Sequence, residues 1–481
     1  MDEFLAIYAE GPEAVYRELE ELYKQFFALK QKVDELSARI NKDSHNSNKP
    51  PSSDSFKKPP KPQNLRGKTD KRSGGQKGHD GCTLKRVEEP DHTVTLTPGK
   101  CACCSGSLSG AEEVLAETRQ VFDLPPIKLE VTEYVSYARQ CSKCGVWSQA
   151  QFPEGVTQPA QYGPRYLGML TYLNQYQLIP VARTQECAAD MFGHQPSQGT
   201  ILNAVATCAM RLEPVQTVMK SAAKLSKVLR KDETGTRVGK KTGWVHTAST
   251  PELTCYFYNS RRGRAAHKEI GILSEFTGTV VHDCLSSYMD AGYKFSHALC
   301  NAHILRELLG QWEDTRQTWT QRMSSVLRSL KRAKEQAQAK GDNELEEKLL
   351  QRYQRVYKRI VERALIKNPA PPPTGKPGRS PEGKTRSLAL RLQRYEPAVL
   401  QFAVDFDVPF DNNLAERDLR MIKLQKKISG CFRSEQGAIN FCTTRSYIST
   451  MRKQGQNVMK AICSVFQGRI IMPQFKTAKT N

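Results

Sequence analysis

The sequence predicts a multidomain protein of mixed α and β structure. A core of strands and helices, interrupted by a helical insertion, carries metal-binding and helical modules on its N-terminal side. Three observations lead there. The chain has 481 residues, more than one hydrophobic core organises, so roughly two to four domains are expected. The hydrophobic period switches several times between about 2 and about 3.6 residues. Three acidic residues, Asp232, Asp283 and Glu416, fall at strand ends and on a helix, where rigid backbone can hold them together.

Composition narrows the partner. The formal charge of +22 points to a polyanion, most simply nucleic acid. No lipidation motif, signal peptide or long apolar run favours a membrane, so the expected location is the cytoplasm, associated with a bacterial nucleoid. Fourteen cysteines in such a compartment imply reduced thiols and a metal site, not a disulfide framework.

The first segment, 1–42, carries an a/d seam: Val15, Leu19, Leu22, Phe26, Leu29, Val33, Leu36 and Ile40. Such a seam is covered either by a second copy, as a coiled coil, or by the protein's own body. Segment 43–90 is rich in Pro, Ser, Gly and Lys. It has too little apolar surface to offset its ordering entropy, so a flexible basic arm is expected. Lys57, Lys58, Lys61, Arg66, Lys68, Lys71 and Arg72 on that arm are placed to follow a phosphate backbone.

Segment 91–160 contains two CxxC knuckles, Cys101 with Cys104 and Cys141 with Cys144, each with a glycine close behind. Ile127, Leu129, Val131, Val135 and Tyr137 alternate with polar residues between them, as in a half-buried strand. The pattern suits a zinc-ribbon-like module with one tetrahedral four-thiolate Zn²⁺, closed and therefore structural. Cys103 is an alternative ligand within the first knuckle.

Segment 161–226 reads as helical. A helix ends near Phe192, Gly193 turns, and Ser197 can cap a new helix bearing Ile201, Val205 and Cys208. This is helix-turn-helix-like, although any two short helices give the same pattern.

In 227–310 a strand from Val228 is expected to end at Asp232. Strands over Gly243–Ala248 and Leu253–Tyr258, a helix, and a strand at Val280–Val281 follow, with Asp283 just after. That order is the order of a ribonuclease-H-like core. Segment 311–389 predicts an antiparallel helical hairpin, with stripes Trp319 to Ala337 and Leu345 to Ile360 divided at Gly341. A Pro-rich linker follows, through Pro369, Pro371, Pro372, Pro373, Pro377 and Pro381. Segment 390–470 returns to the core through a helix begun at Asp411 or Asn412. Ala415, Leu419 and Ile422 form its buried face, and Asn413, Glu416, Arg420, Lys423 and Lys427 its polar one. Residues 471–481 form a tail.

Each acid alone also fits a blander role. Asp283 fits a turn or cap, and Glu416 fits a salt-bridged surface helix. Together, three close carboxylates repel one another and are best kept ionised by hard divalent cations, Mg²⁺ or Mn²⁺. Two such ions serve in-line displacement at phosphorus. Glu435 is the next candidate should Glu416 point elsewhere.

The ordered succession KPPSSD, GGQKGHDG, the two knuckles, IPVARTQE, KDETGTRV, VVHDCLSSY, CNAHILREL and DNNLAERDLRMIK resembles the insertion-sequence-66 family of bacterial DDE transposases over nearly the whole chain. The resemblance implies that Asp232, Asp283 and Glu416 form the DDE triad. It implies that the protein binds double-stranded DNA at terminal inverted repeats and joins 3′ ends to target DNA. It further implies a homo-oligomer on DNA and small accessory proteins of the same element. Arg420 and Lys423 would face DNA. Cys300 and His303 match a Cys-x-x-His pair after the second acid; a structural contact and an accessory metal ligand both fit. A non-cutting regulatory relative and a simple nuclease of the same fold are the competing readings.

Overall fold

A computed structural model of the protein describes residues 11–40, 84–125, 127–370 and 383–475. The chain divides near residue 88 into two compact units.

The first unit contains one long helix, α1 (Pro12–Ile40), with Pro12 at its start where no helical N–H partner is required. Its seam residues Leu19, Leu22, Phe26, Leu29 and Val33 are exposed. The arm residues Lys57, Lys58, Lys61, Arg66, Lys68, Lys71 and Arg72 lie outside the described residues, as does most of the Pro-rich linker.

The second unit opens with the cysteine module. Its regular structure is one short antiparallel hairpin, β1 (Ala138–Gln140) and β2 (Trp147–Gln149). The half-buried strand expected over 127–137 does not form. Val131, Val135 and Tyr137 are exposed, and Leu129 alone of that series packs against the helical region. Alternation makes a strand only where a partner ladder and a core are both at hand, and this stretch has neither.

Helices follow: α2 (Pro164–Thr171), which runs into a π-helical turn, α3 (Val181–Phe192), α4 (Gln198–Arg211) and α5 (Glu213–Lys224). Between α3 and α4 the local signals act as expected. Gly193 takes the left-handed conformation that ends α3, and Ser197 Oγ accepts the Thr200 N–H at 3.0 Å to start α4.

The core sheet comes next, with β3 (Val228–Val238), β4 (Lys241–Ser249), β5 (Thr254–Asn259), the short helix α6 (Arg264–Ile270), β6 (Thr279–His282) and β7 (Ser296–Leu299). The strand order is β5-β4-β3-β6-β7. The first three strands pair antiparallel, and β6 and β7 add parallel on the far side of β3. One expectation is corrected here: β3 does not end at Asp232 but runs six residues further. The tight turn after Val238 lets β4 pair along that whole length, up to Val238 opposite Lys241. Ladder pairing with β4 outweighs the polar run DETGTR, which on its own reads as a loop.

The remaining helices are α7 (Asn301–Thr315), α8 (Thr318–Lys340), α9 (Glu347–Lys367), α10 (Lys384–Arg394), α11 (Glu396–Val404), α12 (Asn413–Ser429), α13 (Glu435–Lys453) and α14 (Val458–Phe466). α8 and α9 form the expected hairpin, with Gly341 left-handed at its turn. It is tied to the core by Lys334, whose buried ammonium donates to the carbonyls of Phe402, Phe406 and Val408 at 2.7–2.9 Å. Those carbonyls end α11 and lead toward α12, so a cation there matches the negative helix terminus.

Two apolar layers sandwich the sheet. Leu229, Ala248, Cys255 and Val280 pack with α5, α6 and the helices α13 and α14. Val238, Val245 and Tyr256 pack under Leu419 and Ile422 of α12 and Phe441 of α13. The outer strand β5 is closed by side chains of α13: its Thr254 and Tyr256 N–H groups donate to Thr450 Oγ1 and Ser446 Oγ. An edge satisfied in this way cannot template a further strand. Among the described residues no helix is long and apolar enough to cross a membrane.

Candidate functional site

The site grows from the pleat of β3. Successive residues face opposite sides, so Lys231 and Glu233 point to one layer and Asp232 to the other. Asp232 stands opposite Thr247, and Thr247 opposite Tyr256, which lies under α12. Asp232 is therefore on the face that α12 covers. Glu233, its neighbour in the sequence, is spent elsewhere: its side chain is only 1% exposed, its carboxylate pairs with Arg262 at 3.0 Å, and it accepts the Tyr288 hydroxyl at 2.7 Å.

Asp283 follows the last residue of β6. The next residue, Cys284, has φ +70°, a left-handed conformation that a non-glycine residue adopts at a cost. Two contacts hold the turn. The Cys284 N–H donates to His282 Nδ1 at 3.1 Å, and the Leu285 N–H donates to Asp283 Oδ1 at 3.2 Å.

Glu416 lies in the first turn of α12. The start of that helix is set by Asn412, which is buried. Its side-chain amide donates to the Lys231 carbonyl at 2.8 Å and its backbone N–H to Cys300 Sγ at 3.2 Å. One residue thus joins β3, the start of α7 and the start of α12. Asn412 occupies the N-cap position but its side chain makes no capping bond, and Asp411 Oδ1 accepts the Asn413 N–H in a turn just before the helix. The neighbouring acid Asp418 has a different task. Its Oδ2 accepts from Ser249, Thr254 and Lys453 at 2.7–2.9 Å, which clamps α12 to β4, β5 and α13. Glu435, the alternative acid, accepts the Tyr258 hydroxyl at the start of α13.

The three acids influence one another through Asp232. Its carboxyl is pushed up to about 7, first by burial and then by the negative charges of Glu233, Asp283 and Glu416; the Glu233 N–H on Oδ1 opposes the rise. The ionised form is thus disfavoured in the folded chain. Stability should fall as pH rises from about 4, the ordinary aspartate range, to about 7, and change no further above it. The loss should be on the order of 4 kcal/mol at most. Thermal unfolding of the wild-type protein and Asp232→Asn, from pH 5 to 8 without Mg²⁺ but with zinc retained, checks this. The difference between the two should grow through that window. A parallel pair of curves would show that Asp232 ionises freely.

Sequence reading missed the layer behind the acids. Lys231 is fully buried, and burial holds its ammonium down to about 8 despite the nearby Glu233 charge. His267 and His282 stack on the two sides of Tyr288 with ring centroids 4.8 Å apart. Burial lowers both imidazoles to about 3, so both are neutral. The alternation of LRKDE around a strand is the signal that could have separated Asp232 from its neighbours.

Cys300 and His303 fall where α7 begins. Cys300 is buried at its N-terminus, and His303 Nδ1 lies 3.6 Å from Glu416 Oε1. Arg306, one turn on, lies 3.8 Å from Glu416 Oε2. Arg420 and Lys423 are exposed on α12.

The two knuckles are built alike. The N–H of Cys101 donates to the Gly106 carbonyl and that of Cys141 to the Val146 carbonyl; the Ser105 and Gly145 N–H groups donate back to Cys101 and Cys141. The left-handed position is Ser105 in the first knuckle and Gly145 in the second. Backbone N–H groups, those of Cys104 and Cys144 foremost, lower the Cys101 and Cys141 thiols and favour thiolates. Such paired, thiolate-favouring turns fit a zinc ion. The expected convergence of all four sulfurs is not present, however: no three of them lie within 4.8 Å of one another. The chain between the knuckles is exposed and supplies no core to draw them together, and modules of this kind take their folding energy from the ion.

Comparison with known families places these features. The model of a family of unknown function matches residues 9–85, and that of the zinc-finger binding domain of IS66 transposases matches residues 98–145, which supports a structural zinc there. No curated protein matches the chain. The model of the IS66 transposase family matches residues 159–440, from the helical region through the sheet to the start of α13. With more than half its length matched, including the strands and helices that carry Asp232, Asp283 and Glu416, the chain belongs to the IS66 family of transposases.

Proposed function

We propose that this transposase is a DDE enzyme with a ribonuclease-H-like core, in which Asp232, Asp283 and Glu416 hold two Mg²⁺ or Mn²⁺ ions. The carrying observation is placement: Asp232 on the face of β3 that α12 covers, Asp283 just after the parallel neighbour β6, and Glu416 in the first turn of α12. Oxygen-only donors that crowd their charges suit hard divalent cations. The strand order β5-β4-β3-β6-β7, with acids on the central strand and after its parallel neighbour, supports the core assignment. When bound, a pair of such ions supplies an activated oxygen nucleophile and a stabilised leaving oxygen. The residues divide the remaining work. Asp232 gives up its proton to bind, Asp283 is aimed by its strained turn, and the Arg306 guanidinium, 3.8 Å from Oε2, attracts the Glu416 carboxylate. The reaction is hydrolysis that frees a 3′-hydroxyl, then its transfer to target DNA, with no covalent enzyme–DNA bond.

Recognition is proposed for the other modules. Cys101, Cys104, Cys141 and Cys144 hold the zinc of the DNA-binding finger. α3 and α4 act as a helix-turn-helix on the terminal inverted repeats, and Arg420, Lys423 and the basic arm contact phosphates. The exposed seam of α1 supports pairing of two copies on DNA. Small accessory proteins of the element and association with the nucleoid complete the proposal.

The test is incubation of the purified protein with Mg²⁺ and DNA carrying the sequences that flank its gene. Nicked 3′ ends joined to a target plasmid are expected. End binding without cleavage would make it a regulatory relative, and cleavage of any DNA without joining would make it a nuclease.

A further inference from the structure

We propose that Cys300, His303 and Glu416 form a site for a borderline transition-metal ion, zinc by class, separate from the knuckles and sharing Glu416 with the carboxylate site. Cys300 Sγ, a ring nitrogen of His303 and a Glu416 oxygen lie within 4.8 Å of one another, the only such group of three among the described residues. Chain distance makes this convergence informative: Glu416 comes from a different helix, brought in by the contacts of Asn412 with Cys300 and Lys231.

Three features point to an ion and not to a simple polar contact. His303 Nδ1 and Glu416 Oε1 are both shielded from solvent and have no hydrogen-bond partner. Their separation of 3.6 Å is too long for a hydrogen bond. It matches the spacing of about 3.3–3.7 Å between ligand atoms around one tetrahedral ion with Zn–N near 2.0 Å and Zn–S near 2.3 Å. Buried polar atoms left facing each other unpaired are costly, and a shared cation satisfies both. Finally, one sulfur, one nitrogen and one oxygen select a borderline metal over Mg²⁺.

Charge closes as well. The ion displaces the Cys300 thiol proton to solvent; thiolate and carboxylate then balance the two positive charges around a neutral imidazole. Both anionic ligands sit at helix starts, α7 and α12, where the helix dipole favours negative groups. Arg306 lies 3.8 Å from the other Glu416 oxygen, beyond hydrogen-bond distance, so that oxygen remains open to the carboxylate site.

The experiment uses the full chain, stripped of metal, reloaded with Co²⁺ in the presence of excess Mg²⁺ and desalted. Wild-type protein should retain one more Co²⁺ per chain than His303→Gln. It should also show thiolate-to-cobalt absorption that Cys300→Ser loses in part. His303 is partly exposed, so His303→Gln should keep the fold, which circular dichroism verifies. Equal cobalt content in wild type and His303→Gln overturns the site, whatever Cys300→Ser does. Asp283→Asn should keep the extra ion even with cleavage abolished, so failure of the DNA-cutting reading leaves this count unchanged.

Discussion

Asp283→Asn is expected to bind the element's ends as the wild-type protein does and to lose cleavage and strand transfer by roughly 10³-fold or more, about 4 kcal/mol of transition-state stabilisation. The geometry separates the two effects. Asp283 Oδ1 accepts the Leu285 N–H, and an asparagine oxygen does the same, so the turn after β6 and the left-handed Cys284 keep their shape. Removed are one negative charge and one hard anionic ligand. The loss also reaches Asp232, whose carboxyl is raised in part by the Asp283 charge and should return toward its ordinary range in the variant. Mobility shifts without Mg²⁺, with cleavage measured in parallel, make the comparison. Cleavage that survives at the wild-type rate would remove Asp283 from the catalytic assignment.

Cys141→Ser should have the second largest effect, through folding. Structural zinc contributes on the order of 10 kcal/mol to the modules it organises, and serine is a far poorer ligand for it. The cysteine module has one short hairpin and exposed apolar residues such as Val131 and Trp147, so little else holds it. The variant should lose one zinc per chain and the protease resistance of residues 91–160. The sheet core, with its own two apolar layers, should unfold at an unchanged temperature. End binding should weaken by about tenfold or more. Unchanged zinc content would show that the ion is held by other ligands, Cys103 among them.

What the sequence determined by itself was local. The β-branched run before Asp283 specified β6, Gly193 and Ser197 specified the break between α3 and α4, and Gly341 specified the turn of the α8–α9 hairpin. Each is decided by backbone preference and hydrophobic period within a few residues. The family was also legible, because the matching motifs are short and carry their own order along the chain.

Tertiary structure decided everything that depends on a choice of partner. The register of β4 carried β3 past Asp232 to Val238. Arg262 and Tyr288 occupied Glu233, and Ser249, Thr254 and Lys453 occupied Asp418. Lys334, outside the apolar stripe of its helix, became the buried anchor of the insertion. The meeting of Cys300 and His303 with Glu416 is likewise an outcome of long-range packing. A periodicity reports which face of an element is apolar. It carries no record of which polar group, distant along the chain, will be brought against that face, and at this site those pairings decide which acids packing takes up.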